Sequence, residues 1–164
     1  NIIQIKTSWL AGLNKCVAEC EQILLHKEPS EFFYPPELAG ISVSEALWAS
    51  KIKKIKSCNK SFLSGLRKKG NLYAIFTKSG NENWSVRYVG KSKSILLRDR
   101  LTNHLIVRTS SQTRSKLASV QEAIARGEKI GINVALVSRE TLRAFVEEEI
   151  IRRNKSILTW NKHV

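Results

Sequence analysis

Asn71-Leu72-Tyr73-Ala74-Ile75-Phe76-Thr77, then Ser79-Gly80-Asn81-Glu82-Asn83, then Trp84-Ser85-Val86-Arg87-Tyr88-Val89-Gly90-Lys91 is the stretch on which the fold turns. The first run is apolar and rich in strand formers, the middle is turn chemistry, and the last run alternates with period two. The pattern predicts a β-hairpin holding Tyr73 and Tyr88 side by side, each next to residues suited to burial. Toward the C-terminus, residues 94–106 read as a helix with Ile95, Leu96, Leu97, Leu101, Leu105 and Ile106 on its buried side. A polar loop at 108–112 leads to a second helix at 114–126, closed by Gly127 in the C′ position. Residues 132–137 form a third strand, and Ser138 caps a final helix to about residue 153. The expectation is an α/β (α+β) fold: a small three-stranded sheet flanked by helices, in the order β-β-α-α-β-α.

Toward the N-terminus, Ser8 is placed to cap a helix running to about residue 26. Trp9, Leu13, Val17, Cys20 and Leu24 recur in it at helical spacing, and Glu28-Pro29-Ser30 stops it. Phe32-Phe33-Tyr34-Pro35-Pro36 reads as an extended apolar loop packed on the body. Ser42-Val43-Ser44-Glu45 reads as a capping box with Ser42 and Glu45 as its two ends. The helix it opens carries Leu47, Trp48, Ile52 and Ile55 among Lys51, Lys53, Lys54 and Lys56. That lysine run is either the solvated face of an amphipathic helix or a face that grips phosphates. A short helical segment over 60–69 ends at Gly70. Residues 1–69 are thus expected to be an N-terminal helical extension for DNA binding or dimerisation, and 70–164 the catalytic part.

Composition narrows the partner. In 164 residues, 28 Lys and Arg stand against 14 Asp and Glu, a net +14, while 42% hydrophobic content suffices for a core. Such an excess of positive charge favours a polyanion through counterion release, and it says nothing about fold. No apolar stretch reaches the roughly 18–20 residues of a membrane span, so no membrane role is expected. Cys16, Cys20 and Cys58 form no metal-type pair and read as buried thiols in a reducing compartment. The chain has no methionine, so its natural N-terminus is expected to have been trimmed or cut away.

Asn71-Leu72-Tyr73 resembles a divergent GIY element, and Tyr88-Val89-Gly90 the YIG element, of the GIY-YIG nuclease superfamily. The likeness covers roughly residues 70–161. It includes Lys91-Ser92-Lys93, the run Leu97-Arg98-Asp99-Arg100-Leu101, His104-Leu105, a helical Glu and then Trp160-Asn161. The resemblance implies catalytic positions at Tyr73, Tyr88, Arg100, His104, Glu147 and Asn161. It also implies one divalent metal, Mg²⁺ or Mn²⁺, held by Glu147. Those residue types suit the chemistry. A carboxylate is a hard ligand, and a guanidinium stays cationic beside a crowded phosphate. Tyr88 can serve as general base if its pKa is lowered, with Lys91 nearby; Arg100 and His104, one turn apart, can address one phosphate.

Read singly, each residue also has a plain structural account. The tyrosines can be a cross-strand aromatic pair, Arg100 a surface cation, His104 a satisfied histidine and the Glu run a solvated face. Two positions carry alternatives. Glu149 fits the count back from Asn161, but Glu147 fits the local pattern of the helix and is preferred. Arg98 is the fallback for Arg100, which keeps the register with Leu101 and His104.

The resemblance points to a metal-dependent DNA endonuclease, closest to the compact type II restriction endonucleases of that superfamily. Such an enzyme would be cytoplasmic in a bacterium, act on double-stranded DNA and form a homodimer. With three residues after Asn161, DNA targeting is expected from residues 1–68, from loops, or from an N-terminal region missing from this sequence. Lys91, Lys93, Arg108, Arg114, Lys53 and Lys54 are the candidate nucleic-acid contacts. The alternatives are a secreted or delivered nuclease toxin domain, restrained by an immunity protein, and a non-catalytic basic nucleic-acid-binding module.

Overall fold

Leu72–Lys78 (β2) shows no polar alternation because both of its faces are covered. In the computed structural model, which describes residues 11–40, 44–108 and 115–161, β2 lies inside a four-stranded antiparallel sheet. The order is Ser30–Phe32 (β1), Lys129–Ala135 (β4), β2, Ser85–Lys91 (β3). Three strands were expected. The fourth is β1, where the Phe32 loop runs extended and pairs Ser30 with Ile132 and Phe32 with Ile130. The strand expected over 132–137 begins and ends earlier, at Lys129 and Ala135. Ser8, Trp9, Ser42 and Arg114 lie outside the described residues.

Alternate residues of β2 feed two cores. Leu72, Ala74 and Phe76 pack with Val17, Cys20 and Leu24 of Ala11–Glu21 (α1) and the turn that follows it, and with Val146 and Ile150 of Arg143–Arg153 (α6). Tyr73 and Ile75 face the other way. They join Trp48 and Ile55 of Glu45–Cys58 (α2), Leu63 of Lys60–Ser64 (α3), Leu101 and Leu105 of Leu97–Leu105 (α4), and Val120 and Ile124 of Leu117–Ala125 (α5). A bulge shapes β3: Ile75 opposes Tyr88 while Phe76 opposes Val86, leaving Arg87 as the extra residue. Val86 and Val89, three apart, therefore both reach the α6 side. Residues ahead of Gly70 supply part of both cores and one strand of the sheet.

Those early residues also fix the helix that carries Arg100 and His104. The last carbonyls of a helix have no partner within it. Near the end of α4, the Tyr34 hydroxyl donates to Leu105 O at 2.8 Å and the Trp48 indole N–H donates to Ile106 O at 2.6 Å. The helix starts differ in detail from expectation. Ser44 caps α2, its hydroxyl accepting from Leu47 N–H at 3.2 Å. Ser138 caps nothing; Glu140–Leu142 makes a short 3₁₀ turn before α6, and Glu140 accepts from Ser94 N–H at the lead-in to α4.

Buried asparagines hold the frame. The Asn71 side chain donates to Val137 O and accepts from Val137 N–H, both at 2.8 Å, extending the sheet by one peptide-like rung. Asn59 does the same with Phe33, at 2.8 Å each way. An Asn71→Ala substitution strands both Val137 groups in a dry core. It should lower the unfolding free energy by about 2 kcal/mol, measured by urea denaturation.

Candidate active site

Tyr73 pairs in register with Gly90, and Tyr88 with Ile75, so the two phenols stand diagonally across the hairpin rather than directly side by side. Their ring centroids are 6.1 Å apart, and each lies 5.5 Å from the His104 ring. Gly90 makes this possible. A Cβ there would stand 2.6 Å from Tyr73 Cζ and Oη and 2.7 Å from Tyr88 Cε1.

The hydrogens of the cluster follow from its neighbours. Lys116 N–H donates to His104 Nδ1 at 3.0 Å, so the ring proton is assigned to Nε2, which donates to Tyr73 Oη at 2.7 Å. Arg100 Nε–H also points at that oxygen, at 3.4 Å. With two donors on it, the Tyr73 hydroxyl is held between His104 and Arg100, beside the Tyr88 ring.

Burial separates the roles further. Tyr73 and His104 are sealed at 0% exposure, whereas Tyr88 keeps 8%. His104, expected to share a phosphate with Arg100, is instead sealed behind Tyr73 and out of reach of a ligand at the surface. Burial first, then the cations Arg100 and Lys116, lowers its pKa from 6.5 to about 3, and it is neutral at ordinary pH. Burial also raises Tyr73 well above the usual phenol range. Tyr88 is raised too, by burial and by Glu147, with Arg100 pulling the other way. The lowered Tyr88 pKa expected from sequence is not what this geometry sets, so Arg100 alone does not ionise it.

His104 yields a pH prediction. Its folded pKa lies below its unfolded value, so the unfolded chain binds the extra proton more readily between about 3 and 6.5. The contribution to stability is complete above pH 6.5 and is lost as pH falls toward 3. Chemical denaturation across that window should show a steeper loss for the wild type than for His104→Gln.

The carboxylate comes from α6. Glu147, 8% exposed, is bonded by the Lys91 ammonium at the end of β3, and burial raises its pKa against the pull of Lys91 and Arg100. Glu149 turns away: it holds Arg152 at 2.9 Å and Arg153 at 3.8 Å, at the surface. Arg98 is exposed and points off the flank of α4 opposite the tyrosines, as its offset of two residues from Arg100 requires. Asn161 acts on the strand: its side chain accepts from Val89 N–H at 2.9 Å and donates to Val89 O at 2.8 Å, beside Trp160 N–H on Arg87 O. It fixes the Tyr88–Gly90 backbone.

Among the expected nucleic-acid contacts, Lys93 and Arg108 are exposed, and Lys54 is tied to Glu37 at 3.1 Å, as Lys51 is at 3.3 Å. Lys53 carries no such acid. Cys20 is buried and raised to about 11, chiefly by burial, but Cys58 is exposed, contrary to the expectation of three buried thiols. Lys116 went unforeseen. Its ammonium sits 5.1 Å from the Tyr88 ring centroid while its backbone orients His104, and no spacing in the sequence signals either contact.

The donor set suits one kind of metal. No cluster of three His, Cys, Asp or Glu side chains occurs among the described residues. A lone carboxylate fits Mg²⁺ or Mn²⁺, which keeps several waters and takes phosphate oxygens; it does not fit zinc. No helix among the described residues is long and apolar enough to cross a membrane. Comparison with known families, curated proteins and solved structures gives no match.

Proposed function

We propose that the chain is a metal-dependent endonuclease of the GIY-YIG type that hydrolyses phosphodiester bonds in double-stranded DNA. The observation that carries this reading is the cluster in which Arg100 Nε reaches Tyr73 Oη at 3.4 Å, the Tyr73 and Tyr88 rings lie 6.1 Å apart, and Glu147 of α6 is bonded to Lys91 on the same strand as Tyr88. A phenol, a guanidinium and a buried carboxylate on a chain of charge +14 suit the handling of a phosphate.

In this reading Arg100 binds the non-bridging oxygens of the scissile phosphate and offsets the charge that grows there as water attacks. Tyr88, once its own proton has passed to solvent, orients that water and takes its proton as the water attacks. His104 and Lys116 keep Tyr73 in place, and Asn161 keeps the strand in place. Glu147 is the residue that would hold Mg²⁺ or Mn²⁺. A cation held there would polarise a phosphate oxygen and supply positive charge to the site. Lys91, already paired with Glu147, then has phosphate as its alternative partner.

Supercoiled plasmid incubated with the protein tests this directly. Nicked or linear products are expected with Mg²⁺ or Mn²⁺ and none with a chelator. Discrete fragments would favour a restriction endonuclease and a smear a toxin domain. Binding without cutting under every divalent metal would leave only a basic binding module.

A further inference from the structure

The cleft where α2 and α3 meet α4 holds Lys53, Lys56, Lys60 and Arg98 against a single acid, Asp99. We infer that this cleft is a second DNA-contact surface, a track for backbone phosphates flanking the cut site. The lysines of α2 divide by face. Lys51 and Lys54 are neutralised by Glu37, while Lys53 and Lys56, one turn apart, and Lys60 have no ion pair among the described residues. Four cations less one acid leave the cleft at +3.

Its chemistry selects the ligand. Thr102 and two serines add hydroxyl donors of the kind that hold phosphates. No aromatic ring lines it, so it offers no platform for unstacked bases, and the backbone of a duplex fits better than a single strand. The placement also fits. Arg98 and Arg100 are two residues apart on α4 and so face roughly 200° apart around its axis. A duplex laid over the exposed side of α4 meets the Arg100 cluster on one flank and the lysine cleft on the other. The choice of DNA as the polyanion rests on the nuclease reading; the cleft itself does not.

The test is the salt dependence of binding of a fluorescein-labelled DNA duplex, in chelator so that nothing is cut. A Lys53→Gln, Lys56→Gln, Lys60→Gln variant is compared with Lys15→Gln, Lys27→Gln, Lys129→Gln, which removes the same charge elsewhere. Each lost phosphate contact lowers the slope of log K against log salt by about 0.9, so the cleft variant should lose about 2.7. Between about 50 and 200 mM NaCl its affinity should therefore fall about 40-fold less than that of the wild type. Thermal melts confirm that both variants fold. A cleft variant with the wild-type slope, or a control whose slope falls equally, overturns the proposal. Plasmid cutting by the wild type reports separately on the nuclease reading. Cutting with an unchanged slope sinks only the cleft; a reduced slope without cutting sinks only the nuclease.

Discussion

Gly90→Ala should lower the unfolding free energy by about 3 kcal/mol and cut DNA hydrolysis by about 100-fold or more. The added methyl would stand 2.6 Å from two atoms of Tyr73 and 2.7 Å from one of Tyr88. Tyr73 has nowhere to go: it is fully buried, and its hydroxyl is pinned by His104 and Arg100. Either the ring tilts and breaks that chain of hydrogen bonds, or β3 moves off β2. Both outcomes displace Tyr88. Gly12→Ala is the matched control, because nothing lies within 4 Å of its Cβ and it sits exposed in the first described turn of α1. That change should be neutral or stabilising by up to about 1 kcal/mol. Denaturant melts of the two variants, with plasmid assays alongside, measure the contrast.

Glu147→Gln separates activity from stability. Under the proposed function, cutting should fall at least about 1,000-fold, equivalent to about 4 kcal/mol of barrier, while duplex binding persists. Stability should hold or rise. Burial raises the Glu147 pKa above its unfolded value. The contribution of this group is therefore full below the unfolded pKa and is lost as pH climbs through the folded one. At neutral pH the ionised carboxylate is a cost that glutamine removes, and Lys91 is exposed enough to find water. Glu149→Gln breaks surface pairs with Arg152 and Arg153 and should leave cutting intact. Rates and urea midpoints for the two glutamine variants decide which carboxylate serves the site.

Strong local patterns were legible in the sequence: the hairpin, the stop at Gly127 and the last helix. Of the face expected to be buried around α4, Leu97, Leu101, Leu105 and Ile106 reach the core, but Ile95 and Leu96 are exposed in the 3₁₀ turn that precedes it. Long-range geometry was not legible. Ser30–Phe32 becomes a strand because β4 offers it an edge, and three residues carry no periodicity of their own. The role of Ser44 as cap depends on which turn lets Trp48 and Ile55 reach the core. At the site, residue types were readable but their depth was not. Sequence spacing sets Arg100 and His104 on one helical face, yet the tyrosine rings packed above decide that one reaches the surface and the other is sealed. Lys116 was invisible because its role depends on where α5 begins relative to His104.

The clasp of Trp160 and Asn161 on β3 has a bearing on self-association. A border strand left with bare amides and carbonyls invites another polypeptide to zip alongside it. Here the Arg87 carbonyl and both Val89 groups are already taken by the chain's own tail. Oligomers built by lengthening the sheet on that side must first strip the tail away, and doing so loosens the strand that carries Tyr88. Growth of that kind and an intact site are mutually exclusive.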